Sequence, residues 1–239
     1  MKTDPDPRPA AGGNNLVDEI ATAIRARIMS GEIAIGAQLR QAELAGELGV
    51  SRTPIREALR QLQSGGLIEV LPNRGAIVRV PVPWQVREAY EVRAQLEAFA
   101  CELAVRHITG VQVAGLRAAN GALRDATANP SGAARGECGT TTDANDEFHT
   151  TIHLASGNER LARTINEINE TFPRNVSALV LADDPRHSEE SISEHDRIVD
   201  AIAAGDVAAA RREMIAHVVG AGEHLARWYE RRSSTVFVG

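Results

Sequence analysis

Residues 51–62 read "SRTPIREALRQL", and this stretch determines how the rest of the chain is interpreted. Arg52, Arg56 and Arg60 recur every four residues, so on a helix they form one cationic stripe. The apolar residues of the stretch form a second face, at positions 55, 58, 59 and 62. Such a helix is either an ordinary solvated surface helix or one that lies against an anionic partner.

The flanking sequence predicts a winged helix-turn-helix. A short helix, "RQAELAGELG", comes before the stretch, and Ser51 is placed to cap the helix that follows. Two glycines end that helix, and "LIEVL" and "AIVRV" then predict two β-strands joined by the turn "PNRG". An amphipathic helix, "LVDEIATAIRARIMSG", precedes all of these elements. Residues 16–82 are therefore assigned to this domain.

The rest of the chain is predicted to be helical. The apolar spacing predicts helices at 84–107, 110–127, 143–156, 158–171, 174–182, 191–204 and 207–232. Thr109, Ser191 and Asp206 are predicted N-caps, and Ser191 with Glu194 forms a capping box. The fold class is thus mostly α. A disordered tail (1–15) precedes the winged helix-turn-helix, "PVP" at 81–83 links the domains, and an all-α bundle follows (84–232).

Composition and charge narrow the class of function. The net charge of the 239 residues is −6, but residues 16–82 carry +1 and residues 83–239 carry −7. Because local charge decides whether a surface can meet phosphate, the acidic total does not exclude nucleic acid. No apolar run approaches the length of a membrane span, and the N-terminus lacks a signal-peptide pattern. Only two cysteines occur, without metal spacing, which fits a reducing cytoplasm.

The arginine stripe begins at the N-terminal end of its helix, which is the end that would enter a DNA groove. An α-helix fits the major groove, its N-terminal residues reach base edges, and the arginine fork matches guanine O6 and N7 together. Ser51 and Arg40 could hold phosphates, and Arg74 at the tip of the wing could reach the minor groove or the backbone. The candidate DNA-binding residues are Arg40, Ser51, Arg52, Thr53, Arg56, Arg74 and Gly75.

The stretch "LRQAELAGELGVSRTPIREALRQLQSGGLIEVLPNRGAIV" resembles the DNA-binding domain of GntR-family bacterial transcription regulators. The resemblance covers residues 16–80. It implies that Arg52, Arg56 and the wing around Gly75 contact a DNA operator. Ala42 stands where some relatives carry another arginine, so one contact of the family is missing.

Three histidines and one side-chain oxygen form a second candidate site in the helical part. Asn145 and His149 lie one turn apart in "NDEFHTTIHLASGN", and His195 and His217 follow on later helices. Imidazoles and an oxygen drawn from three helices can converge on a divalent metal within a bundle. Spacing alone leaves open that each histidine is an ordinary packing or surface residue, because the intervals are no local metal motif.

This helical part resembles the FCD effector domain of the FadR branch of the GntR regulators, over about residues 84–232. The motifs that carry the likeness are "FH", "ASGN" and "EH…GD…A…M…H". The resemblance implies a divalent metal, such as zinc, nickel, iron or manganese, bound by one aspartate and three histidines. His149, His195 and His217 match the histidines, while Asn145 stands in the aspartate position. A neutral asparagine should weaken the site, and Asp146 is the nearest anionic substitute.

Arg93 has two interpretations. It could form a surface ion pair with Glu97 at i+4, or it could anchor the carboxylate of an effector. The resulting hypothesis is a ligand-responsive transcription regulator. It would be a homodimeric repressor, released from a palindromic operator by a small organic or sugar acid bound near the metal. Two alternatives are a metal-dependent enzyme that uses the histidines to activate water, and a metal that only stiffens the bundle.

Overall fold

The computed structural model describes residues 12–71, 75–128, 141–173, 176, 179–181 and 184–236. The chain divides into two compact units, Met1–Val80 and Pro81–Gly239. The mostly helical fold class is confirmed, with a small sheet in the first unit and helices in the second. None of the described helices combines the length and apolar character that a membrane span needs.

The first unit has the predicted order of elements. These are α1 (Gly12–Met29), β1 (Gln38–Leu39), α2 (Gln41–Leu48), α3 (Arg52–Ser64), β2 (Ile68–Leu71) and β3 (Gly75–Val78). The predicted tail at 1–15 needs a correction, because α1 already includes residues 12–15. Residues 1–11 lie outside the described residues.

The sheet holds the wing against the helices. Its strand order is β1-β3-β2, with antiparallel pairing throughout, and Leu39 lies opposite Ala76. Gly75 begins β3 with φ +86°, and a Cβ there would lie 2.6 Å from the carbonyl oxygen of Leu39. A side chain at position 75 would therefore disfavour both the backbone conformation and the close approach of β1.

Helix α3 has the two faces that its sequence predicts. Ile55, Ala58, Leu59 and Leu62 are buried against α1 and the sheet. Arg52, Arg56 and Arg60 are exposed. Ser51 occupies the N-cap position with extended backbone, as predicted, but its side chain makes no capping hydrogen bond. The hydroxyl group at the start of α3 is therefore not engaged in a cap.

The second unit consists of helices in its described part. These are α4 (Pro83–His107), α5 (Gly110–Ala128), α6 (Thr141–Ala155), α7 (Glu159–Asn169), α8 (Pro185–Ala203) and α9 (Val207–Val236). Of the predicted helix at 174–182, only residues 176 and 179–181 are described, and they are helical. The predicted helices at 84–107 and 110–127 agree with α4 and α5 within one residue.

Two of the three predicted N-caps in this unit are confirmed. The Oγ1 of Thr109 accepts a hydrogen bond from the backbone N–H of Gln112 at 3.2 Å, and Asp206 Oδ1 accepts one from Ala209 at 2.9 Å. The prediction for Ser191 is wrong, because α8 begins two turns earlier. There the Asp184 carboxylate caps the helix, with Pro185 in its first turn. The Asp-Pro pair is the stronger start signal, since proline loses no hydrogen bond at that position.

Helices α4 and α9 approach each other closely at Gly222. A Cβ at Gly222 would clash with the Cβ of Tyr90 and lie 2.7 Å from its Cγ. Gly220 is a matched control on the same helix, because a Cβ there has no neighbour within 4 Å.

Gly222→Ala is expected to lower the free energy of unfolding by about 1–3 kcal/mol, since the added methyl group overpacks the α4–α9 contact. Gly220→Ala is expected to raise it by about 0.5–1 kcal/mol through helix propensity. Urea unfolding of both variants and the wild type measures the difference. Equal stability of the two variants would contradict the close packing at Gly222.

Candidate nucleic-acid interface and metal centre

The first unit carries most of the candidate DNA-binding residues as exposed side chains. The side chains of Arg40, Ser51, Arg52, Thr53 and Arg56 are all exposed. Gly75, at the start of β3, is the described end of the wing. Arg74 lies outside the described residues. The start of α3 thus offers two arginines and two hydroxyl groups to a partner.

Arg40 and Arg56 take part in exposed ion pairs. Arg40 pairs with Glu43 at 3.0 Å, and Glu57 lies 3.5 Å from Arg56 and 3.0 Å from Arg60. Exposed pairs of this kind contribute little free energy. The guanidinium groups can therefore exchange these carboxylates for phosphate or guanine at small cost.

In the second unit, the three candidate histidines come together. His149 lies on α6, His195 on α8 and His217 on α9, and all three are buried. The Nε2 atom of His217 lies 3.2 Å from Nε2 of His195 and 3.4 Å from Nε2 of His149. Three nitrogen atoms from three helices thus face one point.

The tautomer of His195 follows from its neighbour Asn120 on α5. The Asn120 amide nitrogen donates to the carbonyl of Ile192 at 3.0 Å and to Asp196 Oδ1 at 2.7 Å, which fixes the orientation of the amide. Its oxygen therefore faces Nδ1 of His195, at 3.2 Å. Because this oxygen can only accept, Nδ1 carries the proton and Nε2 keeps its lone pair.

His217 has the same arrangement with a carboxylate. Its Nδ1 lies 2.8 Å from Oε2 of Glu194, so Nδ1 donates, and in the neutral ring Nε2 keeps its lone pair. For His149, the Oε2 atom of Glu97 is 3.6 Å from Nδ1, beyond hydrogen-bond length. Oxygen atoms next to the Nδ1 nitrogens are the usual outer partners of metal-binding histidines, because they fix the ring and raise its basicity.

Burial keeps the imidazoles of His149 and His195 neutral. It lowers the pKa of His149 to about 4, despite the nearby carboxylate of Glu97. Burial and the neighbouring imidazoles also hold the pKa of His195 well below its ordinary value. Burial opposes ionisation of Glu194, but its hydrogen bond with His217 and the charge of Arg197 outweigh this effect and lower its pKa. Neutral imidazole is the form that binds a metal ion.

Glu97 connects Arg93 to the histidines. Its side chain is fully buried, and it accepts hydrogen bonds from Arg93 Nε at 3.2 Å and from His153 Nε2 at 2.7 Å. Burial opposes its ionisation, but His149 and His153 outweigh this effect and hold its pKa well below the usual range. Glu97, His149 and His153 form a second group of close potential ligands. The Glu97 carboxylate is already engaged by Arg93 and His153. We therefore interpret this group as one that positions His149 and not as a second metal site.

A cavity of about 100 Å³ opens beside His149 and His217. Arg93, Asn145, Asp146, His149 and His217 all line it. The Arg93 side chain is only 12% exposed, and its Cζ lies 5.2 Å from the ring centre of Tyr90. Arg93 thus forms the i+4 ion pair and faces the cavity, so both interpretations of this residue hold geometrically. Because Glu97 engages Nε, the terminal nitrogens of the guanidinium fork remain for a ligand.

Comparison with known proteins identifies both units. The family model "Bacterial regulatory proteins, gntR family" matches residues 16–78, and the model "FCD domain" matches residues 88–220, more than half of the chain. This chain belongs to the GntR family and carries an FCD domain. It is therefore a transcription regulator with a DNA-binding helix-turn-helix, and the metal-dependent enzyme interpretation is set aside.

Similar regulators support this assignment over most of their length. The HTH-type transcriptional regulator LutR of Bacillus subtilis is 30% identical over 223 residues, which cover 85% of this chain and 98% of LutR. A probable D-xylose utilization operon transcriptional repressor of Paenarthrobacter nicotinovorans is 28% identical over 203 residues, 85% of each chain. The solved structure of E. coli McbR/YncC, 24% identical, shares the fold with a TM-score of 0.68, over 90% of this chain and 98% of that one.

The sequence patterns of this GntR-family chain do not identify four residues of the histidine site. The sequence pattern indicates Glu97 only as the i+4 partner of Arg93, and Glu194 only as part of a capping box. Asn120 carried no signal. His187 also lines the cavity and was not singled out. Of the three remaining histidines, His107 is exposed at the end of α4, His153 bonds Glu97 and does not line the cavity, and His224 stacks on His187.

Proposed function

We propose that this regulator is a homodimeric repressor, released from a palindromic operator by a small organic or sugar acid that binds beside a divalent metal. The convergence of three Nε2 atoms, from His149, His195 and His217, on one point carries this proposal. Where two such nitrogens face each other with their lone pairs, the lone pairs repel unless a cation lies between them. Zinc, nickel and iron suit imidazole ligands, and an added oxygen ligand also tolerates manganese.

The donor set of the chain fits such a metal. His149, His195 and His217 would hold it through Nε2, with Asn145, one turn before His149, as the oxygen ligand. All of these ligands are neutral, so a bound divalent ion would keep its full charge and attract an anion. Asp in place of Asn145 would remove part of that charge. The metal is therefore expected to bind more weakly here than in relatives with aspartate, and to favour an acidic effector more.

Arg93 would bind the carboxylate of the effector. Burial opposes its ionisation, but the charge of Glu97 outweighs this effect and raises its pKa. An arginine fork that is held by one carboxylate through Nε can meet a second carboxylate with its terminal nitrogens. Repression is supported by the name of the relative from Paenarthrobacter nicotinovorans, a probable repressor of D-xylose utilization.

A single titration tests the proposal. Selection from a random-sequence DNA pool gives an operator, and fluorescence anisotropy follows its release by a panel of hydroxy and sugar acids. We expect release by at least one acid with metal-loaded protein, and loss of release after chelation or in Arg93→Leu. If chelation only lowers the melting temperature and no acid releases DNA, the metal is structural and the sensor is contradicted.

Dimerisation is proposed because two winged helix-turn-helix domains must reach the two halves of a palindromic operator. The exposed apolar side chains Trp84, Val92 and Phe99 lie on one side of α4 and offer a surface for a second copy.

The full chain is expected to sediment as a dimer at micromolar concentration, and Val92→Asp/Phe99→Asp as a monomer, because a buried unpaired charge is costly. Val111→Asp is the matched control, since Val111 is 83% exposed on another helix. Monomeric wild type, or a double variant that remains dimeric, would contradict dimerisation through this surface.

A further inference from the structure

The far end of the cavity carries a histidine that the proposed function does not use. His187, Ser191 and His195 follow one another at four-residue intervals on α8, and the first two line the cavity. Eight residues of helix span about 12 Å. His187 and Ser191 therefore line the cavity along α8, on the same helix as the candidate metal ligand His195 but up to about 12 Å from it.

His187 is held in place by stacking. Its ring lies 3.7 Å from the ring of His224 on α9, with an angle of 12° between the planes. Only 8% of His187 is exposed. Asp184 accepts a hydrogen bond from its backbone N–H at 3.3 Å, which anchors the first turn of α8. The ring is thus a buried polar group, fixed by packing, at the edge of a cavity.

The chemistry of His187 points to a particular ligand group. Burial and the neighbouring ring of His224 lower its pKa to about 4, so the imidazole is neutral near pH 7. A neutral imidazole offers one N–H donor and one lone pair. A hydroxyl group can accept a hydrogen bond from this N–H or donate one to this lone pair. A carboxylate can only accept, and a methyl group can do neither.

We propose that His187 selects the effector by hydrogen-bonding a hydroxyl group at the end remote from its carboxylate. This inference rests on the proposed function, in which the carboxylate lies at the metal and Arg93. The effector class is then a hydroxy acid whose hydroxyl group lies some carbons away from the acid group. Simple fatty acids and short dicarboxylates should bind less tightly.

Matched pairs of acids test this selection. Calorimetry on the metal-loaded full chain compares 4-hydroxybutanoate with butanoate and 6-hydroxyhexanoate with hexanoate. At one chain length the hydroxy acid is expected to bind about fivefold more tightly, the equivalent of one neutral hydrogen bond. In His187→Phe, which keeps an aromatic ring for stacking but has no nitrogen, this preference is expected to disappear while the unsubstituted acid binds as before.

His224→Phe is the matched control, because it keeps the stacked ring and leaves His187 in place. It should retain the preference for the hydroxy acid. An unchanged preference in His187→Phe, or acids that bind wild type without any preference, would overturn the role of His187 and leave the sensor intact. If no acid of any kind binds the metal-loaded wild type, the proposed sensor fails, and the inference fails with it.

Discussion

His195→Ala is expected to reduce the metal content of the purified protein to background, with a loss of affinity of more than about 100-fold. Loss of an outer partner of a ligand already costs about 10–100-fold. His195 is a candidate ligand itself, fully buried, with its Nε2 only 3.2 Å from that of His217. Elemental analysis gives the metal content, and calorimetry on the stripped protein gives the affinity.

Three further variants are compared with His195→Ala: one expected to weaken metal binding, one expected to tighten it, and one control. Glu194→Gln should weaken the metal by about 10–100-fold, because it removes the charge behind His217 while keeping the shape. Asn145→Asp should tighten it by adding an anionic ligand. His107→Ala is the control, an exposed histidine at the end of α4. Full metal content and full acid response in His195→Ala would contradict the metal sensor and leave only the DNA-binding half of the proposal.

Arg52→Ala/Arg56→Ala is expected to lower operator affinity by about 100-fold or more. An arginine that reads guanine contributes about 1–3 kcal/mol of discrimination, and 1.4 kcal/mol corresponds to a factor of ten. Both side chains are exposed, and Arg56 gives up only an exposed pair with Glu57. Fluorescence anisotropy on the selected operator and on random duplex DNA separates loss of specificity from loss of charge.

Arg106→Ala controls for the loss of a positive charge, since Arg106 is exposed on α4 and pairs with Glu102. It should leave operator affinity unchanged. Arg40→Ala should weaken operator and random DNA alike and reduce the salt dependence, as a phosphate contact does. If Arg52→Ala/Arg56→Ala bound the operator as tightly as the wild type, this would contradict recognition of the operator sequence by α3.

The parts of the structure that the sequence predicted well are those with local causes. The two faces of α3 follow from the helical period between residues 52 and 62, and Thr109 and Asp206 cap helices through side chains three residues from their partners. Ser191 has the same local pattern and fails, because a stronger signal, Asp184 with Pro185, starts the helix earlier.

The parts that the sequence missed depend on which helices become neighbours. Asn120 lies 75 residues from His195, and Glu97 lies 56 residues from His153. Nothing in the periodicity of α4 or α5 shows which of their polar residues will be buried against a histidine. The three histidines were predicted because the family resemblance supplied the long-range information that spacing lacks.

The position of Glu97 bears on how the regulator would respond to its two proposed ligands. The same buried carboxylate bonds Arg93, where the acid would bind, and lies beside His149, where the metal would bind. If the two sites are coupled, thermodynamics requires the coupling to be mutual: the factor by which metal tightens the acid is the factor by which the acid tightens metal. In the proposed repressor, release would then need metal and acid together, so a cell short of metal would keep the operator occupied even when the acid is abundant.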